Sequence, residues 1–312
     1  MKVYLTGATG FVGRYVLQAL RAAGHEVRCL VRQPDHPLPF EEEGVEKVGG
    51  DLLRPETFAG TLDGCEAVVH LVGIIAERPR QGISFDAVHR RGTLHMVEAA
   101  QQAGISRFIH MSANGVRPDG TTAYQTSKWE AEEIVRHAGF AHWTIFRPSI
   151  IFGDPKGAPM EFVTELARRL VRPLPVLPVF GDGQYRLQPV AVEVVAAAFA
   201  QALTRPEAHG QTYCVAGPTP LTYDEILDVI ARALRGRPKP KLHLPLGPVR
   251  LLVGTLGRIG LLPVTPEQLA MLIEGNTCDP SAFYRDFDVH RCLSPRRRSP
   301  TCAGRPEDVC FT

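Results

Sequence analysis

The chain has 312 residues, 44% of them apolar, enough for one large α/β domain or a core domain with a smaller annex. Its 35 basic and 33 acidic residues leave a net charge of +2, which gives no ground for a nucleic-acid partner. No run of about 18 uninterrupted apolar residues occurs, so no transmembrane helix is expected. Met1-Lys2 leads straight into an apolar run, so no signal peptide is expected either. A cytoplasmic protein is therefore expected, with peripheral contact to an inner membrane left open.

Strand and helix patterns alternate through the first half. Residues 3–6 read as a strand and 10–23 as the helix after it. Between them lies Gly7-Ala8-Thr9-Gly10-Phe11-Val12-Gly13. Strand, glycine turn and helix in that order let the backbone approach a pyrophosphate, and the helix offers free N–H groups and its positive dipole end. The same glycines also suit a plain strand-to-helix connection, but the context on both sides favours dinucleotide binding. Strands follow at 26–31 and 45–49, a short helix at 55–62 and a strand at 67–72. A helix is expected at 84–103, a strand at 107–111, a helix at 122–138 and a strand at 143–146. Such alternation implies a parallel sheet with crossover helices.

The second half is less regular and richer in proline. Helices are expected at 161–171, 192–203 and 223–234, the last opened by Thr222 as N-cap. Residues 173–178 read as a proline-broken loop. The apolar segment 245–263, with Arg250 and Arg258 eight residues apart, reads as packing within a substrate region. A surface helix against a partner or membrane is the alternative, weakened by Gly254, Gly257 and Gly260.

The cysteines divide in two. Cys29, Cys65, Cys214 and Cys278 are scattered without metal-ligand spacing and read as small buried hydrophobes in a reducing compartment, so no metal is expected. Cys292, Cys302 and Cys310 crowd a tail, 290–312, that also holds five arginines against Glu307 and Asp308. Disorder is expected there. Its abrupt composition suits an out-of-frame translation, the rival being a basic tail for an anionic surface.

Taken together, these patterns resemble the short-chain dehydrogenase/reductase superfamily in its extended and atypical branches. Thr6–Gly13 has the TGxxGxxG spacing of the extended branch, and Tyr124-Gln125-Thr126-Ser127-Lys128 supplies YxxxK. Gly50-Asp51-Leu52, Leu71-Val72-Gly73 and Arg147-Pro148-Ser149-Ile150-Ile151-Phe152-Gly153 fall where that superfamily places further cofactor contacts. The match runs in order over residues 1–285. It narrows to atypical members similar to the NADPH-binding, 39 kDa-type accessory subunit of respiratory complex I and its bacterial epimerase/dehydratase-like relatives.

The resemblance implies a Rossmann-like, doubly wound parallel sheet with a smaller, irregular C-terminal substrate region. The division expected is a nucleotide-binding core over 1–155, a substrate or partner region over 156–289 interleaved with it, and the tail. It implies cofactor contacts from Gly7, Thr9, Gly10, Phe11, Val12, Gly13, Asp51, Leu52, Leu71, Val72, Gly73, Pro148 and Ile150, with Asp51 accepting from the adenine amino group. It implies catalysis by Tyr124 and Lys128, which also touch the cofactor. A free phenol has a pKa near 10, and a neighbouring ammonium and a positive nicotinamide ring both favour phenolate. On a helix the two side chains sit one turn apart on one face. An incidental surface pair is the alternative.

Relatives usually place a Ser or Thr just past the fifth strand to hold the substrate oxygen. That place falls on Ala113, which has no donor. Ser112 is the candidate third member, although it faces the other side of an extended chain. Asn114 and Thr122 are substitutes. His89 stands where many relatives carry Asn. Gly181, Gln184 and Arg186 fall where extended members line the substrate site.

The cofactor choice rests on the end of the second strand. NAD enzymes usually place a carboxylate there, whereas this chain reads Val31-Arg32-Gln33, with Arg14 after the glycine turn. A guanidinium pairs bidentately with a 2′-phosphate, so NADP(H) is expected over NAD(H), a solvated loop arginine being the alternative. Two functions follow. One is an NADP(H)-dependent oxidoreductase or epimerase acting on a small molecule. The other is a non-catalytic NADPH-binding accessory protein of a respiratory NADH dehydrogenase-type complex.

Overall fold

The computed structural model describes residues 1–35, 44–158, 161–249 and 266–289 in full, and 250–252 by backbone alone. In chain order the elements begin with β1 (Lys2–Thr6), α1 (Phe11–Ala22), β2 (Glu26–Val31), β3 (Val45–Gly49) and β4 (Ala67–His70). They continue with α2 (Gly92–Gln102), β5 (Arg107–Met111), α3 (Ala123–His137) and β6 (His142–Pro148). Then come β7 (Ile151–Phe152), α4 (Phe162–Leu166), β8 (Leu177–Phe180), β9 (Arg186–Leu187) and β10 (Val190–Ala191). α5 (Val192–Ala202), β11 (Gln211–Val215), β12 (Leu221–Thr222), α6 (Tyr223–Arg235) and β13 (Lys241–Leu244) follow. The last are α7 (Leu246–Leu252), α8 (Pro266–Glu274) and α9 (Ser281–Asp286).

The chain divides into two compact units. The first comprises Met1–Pro148, Val192–Val215 and residues 280–289. It holds a seven-stranded sheet in the order β11-β6-β5-β4-β1-β2-β3, every neighbouring pair parallel. Strands covered on both faces read as near-continuous apolar runs. On one face Tyr4, Val68, Phe108 and Ile145 pack with Met96 and Ala100 of α2 and Val135 of α3. On the other, the Phe146 ring packs at an angle against Phe199 of α5 and edge-on against Phe287, at ring separations of 4.8 and 5.3 Å. The sheet is thus doubly wound, the expected Rossmann-like architecture. The strand order reverses between β1 and β4, which is where open α/β sheets place ligands at the carboxyl ends of their strands.

The second unit comprises Ser149–Ala191 and Ala216–Asp279 within the described residues. Three two-stranded pairs, β7 with β10, β8 with β13 and β9 with β12, surround α6. Ile226, Leu227 and Ile230 of α6 pack on Val163, Leu177, Val179 and Leu187. Thr222 opens α6 through a capping box with Glu225.

Some elements differ from the sequence reading. The helix expected at 55–62 is a single 3₁₀ turn, Pro55–Thr57. Phe58 and Leu62 are buried one helical turn apart, which imitates the period, but Gly60 and Gly64 turn left-handed (φ 74° and 77°). The loop expected at 173–178 ends early, because Leu177 and Pro178 belong to β8. Among the described residues β8 has β13 as its one strand neighbour, which leaves an edge where proline needs no N–H. The strand at 67–72 stops at His70, so Leu71 and Val72 lie beyond it. The helix at 84–103 begins as a π turn, Asp86–Arg91. The segment 253–265, with Arg258, and the tail 290–312 lie outside the described residues. Among the described residues no helix is long and apolar enough to cross a membrane.

Candidate active site

The glycine turn is built for close approach. Gly7 adopts φ +82°, and a Cβ on it would meet Leu71 at 3.3 Å. A Cβ on Gly13 would lie 2.0 Å from the Gly7 carbonyl oxygen, so only glycine lets α1 pack this closely on the turn. Gly10 is the N-cap of α1, and its N–H donates to the Gly7 carbonyl at 3.0 Å. No side chain caps that helix, so its first N–H groups stay available to an anion. Thr9 is exposed, Phe11 and Val12 are partly buried, and the Arg14 guanidinium donates to the Thr9 carbonyl.

A cleft of about 610 Å³ opens beside this turn. Thr9, Arg32, Gln33, Gly50, Asp51, Arg54 and Thr57 contribute to its lining. The ends of β2 and β3 adjoin here, since the Gly50 N–H donates to the Val31 carbonyl. Leu52 does not line the cleft. It is buried against Gly92, and its carbonyl bonds with His95. Arg54 is the lining cation that the sequence reading missed; its place three residues beyond Asp51 was the available signal.

Tyr124 and Lys128 sit one turn apart on α3, which Thr122 and Gln125 open with a capping box. The Thr122 hydroxyl is thereby engaged and does not replace the missing donor at Ala113. Lys128 is buried, and its ammonium donates to the Met111 carbonyl at 3.0 Å. A Cβ on Gly73 would stand 3.1 Å from that ammonium, which places the lysine directly beneath the Leu71-Val72-Gly73 segment. Burial lowers the Lys128 pKa to about 8, and the Glu132 carboxylate one turn on opposes the shift.

Tyr124 departs from expectation. Burial raises its pKa to about 12, and no charge beside it lowers it. The ammonium one turn away gives one of its three donors to the Met111 carbonyl. The phenol ring packs edge-on against Phe85 and His89, at ring separations of 5.6 and 5.3 Å. His89 in turn spans two elements: Nδ1 is 3.0 Å from Ser127 Oγ, and Nε2 is 3.1 Å from both the N and O of Ile74. It therefore ties the segment after Gly73 to the tyrosine helix.

Below these residues lies a polar tier that the sequence reading did not assemble. Thr6, His70 and His110 stand opposite one another in the register of β1, β4 and β5. His70 shares hydrogen bonds with Thr6 and Thr93 at 2.8 and 3.3 Å and stacks on His110. Burial holds His70 near pKa 3 and His89 near 2, with the Lys128 charge adding to both shifts. Ser112 is buried, and its hydroxyl has no hydrogen-bond partner among the described residues, so it is not joined to Tyr124 or Lys128. Asn114 donates its N–H to the Pro148 carbonyl, and its Oδ1 accepts from Cys214.

Glu132, fully buried, is also missed. It takes a two-point contact from Arg147 (2.8 and 2.6 Å) and a third from Arg136. Its spacing of four from Lys128 was the signal. Ile150, Gly181, Gln184 and Arg186 belong to the second unit, where Ile150 accepts from the Val190 N–H and the Arg186 side chain is exposed.

The model of the NAD dependent epimerase/dehydratase family matches residues 3–216. The chain belongs to that family. It is an NAD(P)-binding member of an extended, epimerase-like oxidoreductase group. A ceramide reductase from Caulobacter vibrioides (strain NA1000 / CB15N) is 37% identical over 196 residues, 62% of this chain, and the match spans 58% of that relative's length. The 40 kDa subunit of mitochondrial NADH-ubiquinone oxidoreductase from Neurospora crassa is 25% identical over 289 residues, 91% of this chain and 74% of that one. The Bordetella bronchiseptica enzyme WbmH, solved in complex with NAD+, shares the fold with a TM-score of 0.69 at 19% identity, over 91% of each chain.

The residues present fit such a nucleotide. Glycine at position 13 lets α1 pack tightly on the turn with its uncapped N-terminus, and the cleft beside it is lined by two arginines and an acceptor carboxylate.

Proposed function

We propose that this chain is an NADP(H)-dependent oxidoreductase or epimerase in which Tyr124 is the acid/base. The observation that carries the reading is the buried Lys128 ammonium, one turn from Tyr124 and against Gly73. A cation buried this deeply is costly unless something uses it. A bound nicotinamide supplies a hydride donor or acceptor. Lys128 orients the ribose and holds positive charge near the phenol. Tyr124 moves the proton at its hydroxyl oxygen to or from the substrate oxygen. His89 and Phe85 hold the ring edge-on, and His89 fixes the Gly73–Ile74 backbone. Arg32 and the cleft favour the 2′-phosphate, and Asp51 takes the adenine amino group. Gly7, Gly10 and the first turn of α1 take the pyrophosphate.

A second reading has its own observation. With Lys128 bound to Met111, burial keeps the phenol protonated near pKa 12, and Ala113 offers the substrate no donor. A protein that holds NADPH without turnover, as an accessory in a respiratory assembly, also fits this arrangement, and the likeness to the Neurospora crassa subunit supports it. Release and identification of the nucleotide carried by the purified protein, followed by absorbance at 340 nm against a carbonyl panel, separates the two. Oxidation that vanishes in Tyr124→Phe supports the enzyme. Tightly held, unreacted NADPH supports the accessory.

A further inference from the structure

We infer that Arg54 is a second phosphate-binding residue of the cleft, one that leaves Asp51 when a ribose 2′-phosphate enters beside Arg32. The inference rests on the NADP(H) reading above and names the residue that completes it.

The backbone around Arg54 is fixed while its side chain is not. The Arg54 N–H donates to the Asp51 carbonyl at 2.8 Å. The Thr57 hydroxyl donates to the Arg54 carbonyl at 2.7 Å and accepts from the Asp51 N–H at 2.8 Å. The turn is thus locked at three points. Among the described residues the guanidinium has only a loose ion pair, its Nε 3.6 Å from Asp51 Oδ2, and the side chain is 66% exposed. Exposed pairs of this kind hold weakly. A guanidinium on a phosphate makes shorter, charge-assisted contacts, often two at once.

Charge in the cleft points the same way. Its ionisable lining is Arg32, Arg54 and Asp51. While Arg54 stays on Asp51, a phosphate meets a carboxylate and one arginine, Arg32, which has no ion pair among the described residues. Once Arg54 rotates to the phosphate, two cations face it. Asp51 keeps its Oδ1 contact to the Leu53 N–H at 3.0 Å and gains a free Oδ2 to accept an amino group. One side-chain rotation therefore builds the phosphate contact and releases the base contact together. A nucleotide without the 2′-phosphate has nothing to draw Arg54 away.

The test uses the full-length protein, with 2′,5′-ADP and 5′-AMP as probes in isothermal titration calorimetry. Wild type binds 2′,5′-ADP more tightly. In Arg54→Gln, 2′,5′-ADP weakens about tenfold while 5′-AMP does not weaken. Arg54→Lys, which keeps the charge but not the fork, recovers part of the loss. If wild type binds both probes equally, the NADP(H) reading itself fails. If wild type discriminates but Arg54→Gln weakens neither probe, or both alike, the NADP(H) reading stands and the role of Arg54 is overturned.

Discussion

The Lys128 ammonium donates to the Met111 carbonyl at 3.0 Å, at the carboxyl end of β5. This one contact anchors a buried cation beneath the nucleotide segment and uses one of its three N–H donors. It has consequences for stability. Burial sets the Lys128 pKa near 8, against about 10.4 unfolded. Between those values the unfolded chain holds a proton that the folded chain has lost. Stability from this group therefore rises with pH across that window, and at pH 7 its cost is complete. Lys128→Met should stabilise the protein at pH 7 by about 1–3 kcal/mol and flatten the rise from pH 8 to 10. Urea midpoints measure both. A variant less stable than wild type at pH 7 contradicts the buried-charge account.

The histidines impose the opposite limit. His70 and His89 are held near pKa 3 and 2, against about 6.5 unfolded. Below pH 6.5 the unfolded chain takes up protons that the folded chain refuses. Stability falls there by about 1.4 kcal/mol per pH unit for each such histidine. Chemical denaturation at pH 7, 6 and 5 should show that steep loss, shallower in His89→Asn. Equal stability at pH 7 and 5 would rule it out.

Glu132 predicts a different kind of loss. Its carboxylate joins Arg147 of β6 to Arg136 of α3, and both arginines also lie over the Trp129 ring. Glu132→Gln removes the charge, leaves the partly buried Arg147 without its counter-ion and leaves Arg136 with Glu133 alone. The expected cost is about 3–5 kcal/mol, read as a fall in Tm. A Tm within a degree of wild type means that solvent replaces the carboxylate.

Gly13 tests the cradle. A Cβ there would sit 2.0 Å from the Gly7 oxygen, and the atoms in contact are backbone. Gly13→Ala must push α1 off the turn, at about 1–3 kcal/mol of overpacking. Nucleotide binding should be lost even where the fold survives. Unchanged affinity by titration would show that the turn is not the pyrophosphate site.

Much of this was legible in the sequence where one local signal dominated. Residues 26–31, 45–49 and 107–111 are strands to the residue, because short segments carrying Val, Ile or Leu there end at glycines or turns. Tyr124 and Lys128 share a helix face because spacing alone decides it. What failed needed a partner far along the chain. Leu177 and Pro178 form a strand only through pairing with Lys241 and Leu242. Thr6, His70 and His110 meet only through the register of three strands. The spacing of Tyr124 and Lys128 likewise did not show that the ammonium also donates to the Met111 carbonyl. Spacing on a helix fixes which side chains are neighbours, not which acceptor an ammonium chooses.

The most direct test of the account compares wild type with Tyr124→Phe. Both are loaded with NADPH, their nucleotide affinity is measured by fluorescence, and absorbance at 340 nm is followed against a panel of carbonyl substrates. The account predicts equal NADPH affinity in the two proteins, with oxidation in wild type alone. Oxidation at the same rate in Tyr124→Phe, or none in wild type with any carbonyl, would contradict it.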